Sequence, residues 1–267
     1  MNSENFIKAE IAIDQICYKG IPVGGLFSKL FFVTHREDPR LEGFNSKIIV
    51  PKIIVKSINN YFKNKKEFNK VVLGYNTTRP NFKKLIYPLS EYIEPSSTFY
   101  SPESHENFDF IKFNEFPNVG IVKCLKIYTE TRKISKKVFK IIKSFNLPIS
   151  KTNCFNHLYV QLLKVESILP AIENTELIVV DYDRSFTMSA IVLAARSKGL
   201  KTVTLIHSTI NTSYGYHPFL AENVWCWGEI QRNQLKSMGV EEYQISLVGN
   251  PIVQVEKVTS RKKNFEN

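Results

Sequence analysis

Long apolar runs are missing from this chain of 267 residues. No stretch reaches the ~18–20 apolar residues that cross a bilayer, so a membrane-spanning helix is not expected. The four cysteines, Cys17, Cys124, Cys154 and Cys226, stand far apart. They form neither a CxxC pair nor a Cys/His ligand spacing, which argues against zinc sites and a disulfide framework and for a reduced compartment. The Walker loop, HExxH and GxSxG are absent as well. The start "MNSENFIKAE" lacks the basic-then-apolar layout of a secretory leader, and a cytoplasmic protein is expected.

Acidic residues are also scarce, 25 against 36 lysines and arginines, for a net charge of +11. That balance suits a polyanion, an anionic membrane surface or a phosphorylated substrate, or is simply a compositional habit of the source, and nucleic acid is not an expected partner. Lysines gather in "FKNKKEFNK" and in "TRKISKKVFKIIK". The second reads as a helix with Ile134, Val138, Ile141 and Ile142 on one face and a solvated, or membrane-surface, lysine face opposite. Hydrophobic residues make up 43%, enough for a sizeable core.

From Lys151 onward the pattern is regular. "NCFNHLYVQLLKVESILPAI" has helical spacing, with Asn153 as its expected cap. "ELIVV" and "KTVTLI" are apolar without alternation, as strands covered on both faces are. Between them "FTMSAIVLAARSKGL" predicts a helix stopped by Gly199. "NVWCW", "GEIQRNQLKSMG" and "YQISLVGNP" then predict strand, helix and strand. The rhythm is that of an open parallel α/β sheet with helices on both faces.

The first half is less regular. "KVVLGYNTTRP" reads as a strand entering a polar loop at Tyr75, and "KIIVPKIIVKSINNYF" as a helix interrupted near Pro51 or two short elements. "SEYIEPSSTFYSPESHENFDF" reads as a long irregular connection. "KGIPVGGLFSKLFF" lacks GxGxxG spacing and reads as a turn feeding a helix.

In such sheets ligands sit beyond the carboxyl ends of the strands. One strand ends in Asp181, Asp183, Arg184 and Ser185, another in His207, Ser208 and Thr209. If those strands are neighbours, an aspartate can orient the His207 ring as a general base. Capping of the next helix is the competing role for Asp183 and Ser185. The long loop after His207 holds Tyr214, Tyr216, His217 and Phe219, suited to gripping a sugar, although the tyrosines also serve simply to pack the loop. With no close acidic ligand to His207 and His217, no metal is expected.

"LIVVDYDRS", "KGLKTVTLIHSTI", "YHPFLAENVWCWGEIQRNQLKSMGV" and "ISLVGNP", between Leu177 and Pro251, together resemble the amino-terminal domain of GT-B glycosyltransferases. The likeness is to surface and capsule polysaccharide enzymes related to polysialyltransferases and CDP-glycerol glycerophosphotransferases. His207, the Trp227-Gly228 pair and Val248 to Pro251 carry it, with Ser208 where glycine is common.

The resemblance implies a Rossmann-like, acceptor-side half at 1–255, best defined at 151–251, with a basic tail or linker at 256–267 and the second Rossmann-like domain missing. It makes His207 the base toward an acceptor hydroxyl and Asp183 or Asp181 its orienting partner. Arg184, Ser208, Thr209, Tyr214, Tyr216, His217 and Asn250 become acceptor contacts. This half would bind no cofactor, and the complete enzyme would use a nucleotide-sugar donor. Half of a UDP-GlcNAc 2-epimerase-like enzyme and a non-catalytic assembly module are the alternatives.

Overall fold

A computed structural model of the chain describes residues 3–36, 49–63, 67–75, 98–101, 110–112, 115–206, 209–210 and 216–250. The chain opens with helix α1 (Ser3–Ile13) and a hairpin of β1 (Cys17–Tyr18) and β2 (Ile21–Pro22). Lys19 and Gly20 turn that hairpin with φ of 51° and 81°, the positive-φ pair of a two-residue type I′ connection. A 3₁₀ turn (Gly25–Phe27) then leads into α2 (Ser28–His35), so the glycine-rich stretch does feed a helix.

Helix α3 (Ile49–Tyr61) runs through Pro51 unbroken. Pro51 lies in the first turn, where its missing N–H deprives the helix of nothing. Next come β3 (Val71–Gly74), β4 (Thr98–Ser101) and β5 (Phe110–Lys112), followed by the long helices α4 (Ile121–Ser144) and α5 (Lys151–Ala171). The strands β4 and β5 correct the expectation of an irregular connection at 90–110. Pairing within the sheet outweighs the flanking prolines and serines, and "TFYS" is itself suited to a strand.

The rest follows the expected order: β6 (Leu177–Val180), α6 (Met188–Ser197), β7 (Lys201–Leu205), β8 (Asn223–Cys226), α7 (Glu229–Ser237) and β9 (Ile245–Leu247). Gly199 and Gly239 end α6 and α7 with φ of 72° and 87°, the left-handed stop that spares a Cβ clash.

The cap of α5 also differs from expectation. Ser150, not Asn153, is the N-cap, and its Oγ accepts the Asn153 N–H at 3.0 Å. Ser150→Ala is expected to lower stability by about 1 kcal/mol in a denaturant titration.

Seven strands form one wholly parallel sheet in the order β5-β4-β3-β6-β7-β8-β9. The chain therefore builds outward from β3 to one edge, then returns to the other side of β3 and builds to the opposite edge. That is the doubly wound order, with its switch point between β3 and β6.

Register aligns Gly74, Val180, Thr204 and Val224 across four strands. On that face Val72, Ile178 and Val180 join the core under α1, α2, α4, α5 and α6. Leu73, Val179, Val203 and Leu205 face the other way and are buried too, which is why these strands read as apolar without alternation. Helix α5 is buried almost all round, because α4 covers its outer side. On α4, Val138 and Ile142 are buried while Lys136, Lys137 and Lys140 are exposed, as the spacing predicts. No described helix is long and apolar enough to cross a membrane.

Candidate functional site

The carboxyl ends of β3, β6 and β7 lie side by side, and the switch point places Tyr75 against the residues that follow β6. Gly74, the last residue of β3, is a close-approach position. A Cβ there would stand 2.7 Å from Met188 Sδ and 3.0 Å from Val180 Cγ1, so glycine lets the start of α6 press onto the end of β3. The Asp181 amide donates to the Gly74 carbonyl at 3.1 Å. Tyr75 and Asp181 are buried, and burial, reinforced by the negative charge of Asp181, holds the Tyr75 phenol well above its ordinary range.

Asp183 and Arg184 are internal ties. Asp183 Oδ2 accepts the amides of Leu220 at 2.7 Å and Ala221 at 3.0 Å. Burial raises its carboxyl, and those two amides and Arg184 offset part of the rise. Arg184 donates to both carboxylate oxygens of Glu10, at 2.8 and 2.7 Å, and to the Pro218 carbonyl at 2.6 Å. Its side chain is 2% exposed, which removes it from contact with a dissolved acceptor in this conformation.

Arg196 adds a bond to the Leu220 carbonyl at 2.8 Å. Leu220 in turn packs on Gly25, where a Cβ would meet its Cδ2 at 2.6 Å. The segment 218–221 is thus fastened to the β6 loop, to α6 and to the 3₁₀ turn before α2 at once. Gly25 of "PVGGLF" serves this packing, whereas a Cβ at Gly24 would collide with the Glu10 carbonyl of α1. Ser185 Oγ accepts the Met188 amide at 3.1 Å and so takes the local role at the start of α6 that competed for Asp183.

Of the remaining predicted residues, Thr209 is exposed and Tyr216 is buried. The Tyr216 ring meets Tyr182 edge-on with centroids 6.0 Å apart, and Phe219 at 6.2 Å, so it packs the loop. His217 is half-buried, and its Nδ1 has no hydrogen-bond partner among the described residues. Burial first, then the Arg184 charge, lowers its pKa, so the ring is a neutral acceptor in neutral solution. Asn250 is partly exposed just beyond β9. His207, Ser208 and Tyr214 lie outside the described residues, as does the tail at 256–267.

The neighbourhood of β6 and β7 on which the Asp/His pairing depended is present, in parallel register from Leu177 to Val180. Among the described residues no three His, Cys, Asp or Glu side chains gather as a metal site requires.

A buried cation behind the start of α6 escaped the sequence reading. Lys164, on α5, donates to Thr187 Oγ1 at 2.8 Å and to the Phe186 carbonyl at 3.4 Å, with its ammonium 3.9 Å from the Phe186 ring centroid. It has no carboxylate partner among the described residues. Burial, with a smaller push from Lys56, lowers its pKa to about 7. Its signal in the sequence was a lysine inside "LYVQLLKVESIL", a stretch apolar on nearly every side.

Glu166, two residues on, shows the contrast. Burial would raise its carboxyl, but Lys123 at 2.7 Å, Lys19 at 2.5 Å and the Tyr18 hydroxyl at 2.7 Å outweigh that and hold it low. Comparison with protein-family models, curated proteins and solved structures finds no match to this chain.

Proposed function

We propose that the chain is the acceptor-side half of a GT-B-type transferase, binding a polyol or glycan hydroxyl at the carboxyl ends of β3, β6 and β7. The observation that carries the reading is the doubly wound strand order, whose switch point sets the carboxyl ends of β3 and β6 beside that of β7. In this reading His207 takes the proton from the acceptor hydroxyl as its oxygen bonds to the activated carbon of the donor, and the bond from that carbon to the nucleotide phosphate breaks, the nucleotide leaving with the electron pair. Asp181 or Asp183 orients that ring, Asp183 also holding the Leu220 and Ala221 amides through Oδ2. Ser208, Thr209, Tyr214, His217 and Asn250 contact the acceptor, and a nucleotide-sugar is held by a second domain, in cis or in trans. The excess of basic residues favours an anionic glycan or lipid-phosphate acceptor at the inner face of a membrane.

A second reading, a non-catalytic assembly module, is favoured by the commitment of Asp183 and Arg184 to internal ties. Complementation separates the two. Cells deprived of the protein should regain their surface glycan with the wild-type chain and not with His207→Ala, although both accumulate equally. Full restoration by His207→Ala rejects the transferase role and leaves the module. Production of an epimerised nucleotide-sugar without acceptor consumption rejects both.

A further inference from the structure

The start of α5 and the middle of α4 enclose an open groove of about 400 Å³, lined by Tyr128, Arg132, Ser135, Lys136, Lys151, Thr152 and Phe155. Three of these residues are cations and none is acidic. Arg132, Lys136 and Lys151 make no ion pair among the described residues. Lys151 and Thr152 are also the first two residues of the 21-residue helix α5, so their amides have no intrahelical acceptor. They add the positive end of the helix dipole. The Ser150 cap satisfies only the Asn153 amide.

Cations gathered in one groove without a carboxylate favour an anion there. The lining is also aromatic, one ring from each helix. The Tyr128 and Phe155 rings meet edge-on at 5.2 Å, and Phe155 stacks on Tyr159 at 6.1 Å. From Tyr128 an exposed apolar stripe, Leu125, Val122 and Ile121, runs back along α4 at helical spacing.

We propose that this groove is a phosphate-binding site. The phosphate sits on the Lys151 and Thr152 amides between Arg132 and Lys136, and the apolar part of its ligand lies along Tyr128 and Phe155. Charge-assisted bonds from the guanidinium and ammonium groups hold the anion, and the helix start orients it. The groove is separate from the carboxyl-end crevice. Lys164, level with the start of α6, lies 13 residues along α5 from Lys151, roughly 20 Å of helix. The inference therefore stands independently of the transferase reading.

Inorganic pyrophosphate titrated into the full chain by calorimetry, and flotation with phosphatidylcholine vesicles with and without phosphatidic acid, test it. Binding of either probe is expected, and pyrophosphate alone or vesicles alone tells a free phosphoester from a lipid headgroup. Arg132→Ala/Lys136→Ala should weaken that binding by about tenfold or more, whereas the equally charged change Lys140→Ala/Lys143→Ala should alter it by less than about twofold. Thr152→Asp should abolish binding while leaving the melting temperature equal or higher, since a carboxylate in the first turn favours the helix. Failure of both probes to bind, or equal losses in the two double variants, overturns the proposal.

Discussion

Arg184→Met is expected to destabilise the protein by about 3–5 kcal/mol at neutral pH, read from urea denaturation. The substitution leaves the Glu10 carboxylate, 0% exposed, without its bidentate partner, and deprives the Pro218 carbonyl of its donor at 2.6 Å. Even with Arg184 in place, burial pushes the Glu10 carboxyl from 4.5 up to about 7. Removing the cation raises it further. A carboxyl whose folded pKa is raised contributes stability below its unfolded pKa and loses it as pH rises through the folded one. The deficit of Arg184→Met should therefore be constant below about pH 7, where both folded proteins keep the Glu10 proton, and grow as pH rises above it, where only the wild-type carboxyl ionises. Glu10→Leu/Arg184→Met should recover most of the loss, because no charge is then stranded. A double variant no more stable than the single one would place the effect in packing rather than charge.

Lys164→Met is expected to act in the opposite direction, raising stability by about 1–4 kcal/mol at and below neutral pH. Burial lowers the Lys164 ammonium from 10.5 to about 7. A base with a depressed folded pKa contributes its full stability above the unfolded pKa and loses it as pH falls through the folded one. The wild-type chain should thus gain stability between about pH 7 and 10.5, and the advantage of Lys164→Met should shrink over the same interval. The lost bonds to Thr187 and Phe186 set the remaining difference at high pH. An advantage that does not vary with pH would mean that Lys164 titrates as an ordinary lysine. The same substitution tests what the start of α6 needs. If surface glycan is lost while stability rises, Lys164 serves the site rather than the fold.

The candidate site was only partly legible. That β6 and β7 are buried parallel strands ending at these residues followed from "LIVVDYDRS" and "TVTLIHST", because unalternating apolar runs announce a sheet covered on both faces. The individual roles did not follow. Asp183 and Arg184 look like ligand residues when read locally, yet their partners are Leu220, Ala221, Pro218 and Glu10. The Glu10 pairing spans 174 positions, and no local pattern marks it. Lys164 was overlooked for the converse reason: one lysine in a helix is normally solvated, and only the packing of α5 against Phe186 and Thr187 buries it.

Local physical chemistry alone determined the hairpin at Lys19-Gly20, the stops at Gly199 and Gly239, and the alternation of strand and helix after Lys151, since each depends on backbone freedom or on apolar spacing over a few residues. Tertiary structure decided that β3 lies beside β6, and hence that Tyr75 meets Asp181. It also decided that the cations of α4 converge on the start of α5. Strand order and helix contact are chosen by burial summed over distant segments, so the same short motifs fit several arrangements until the whole core is packed.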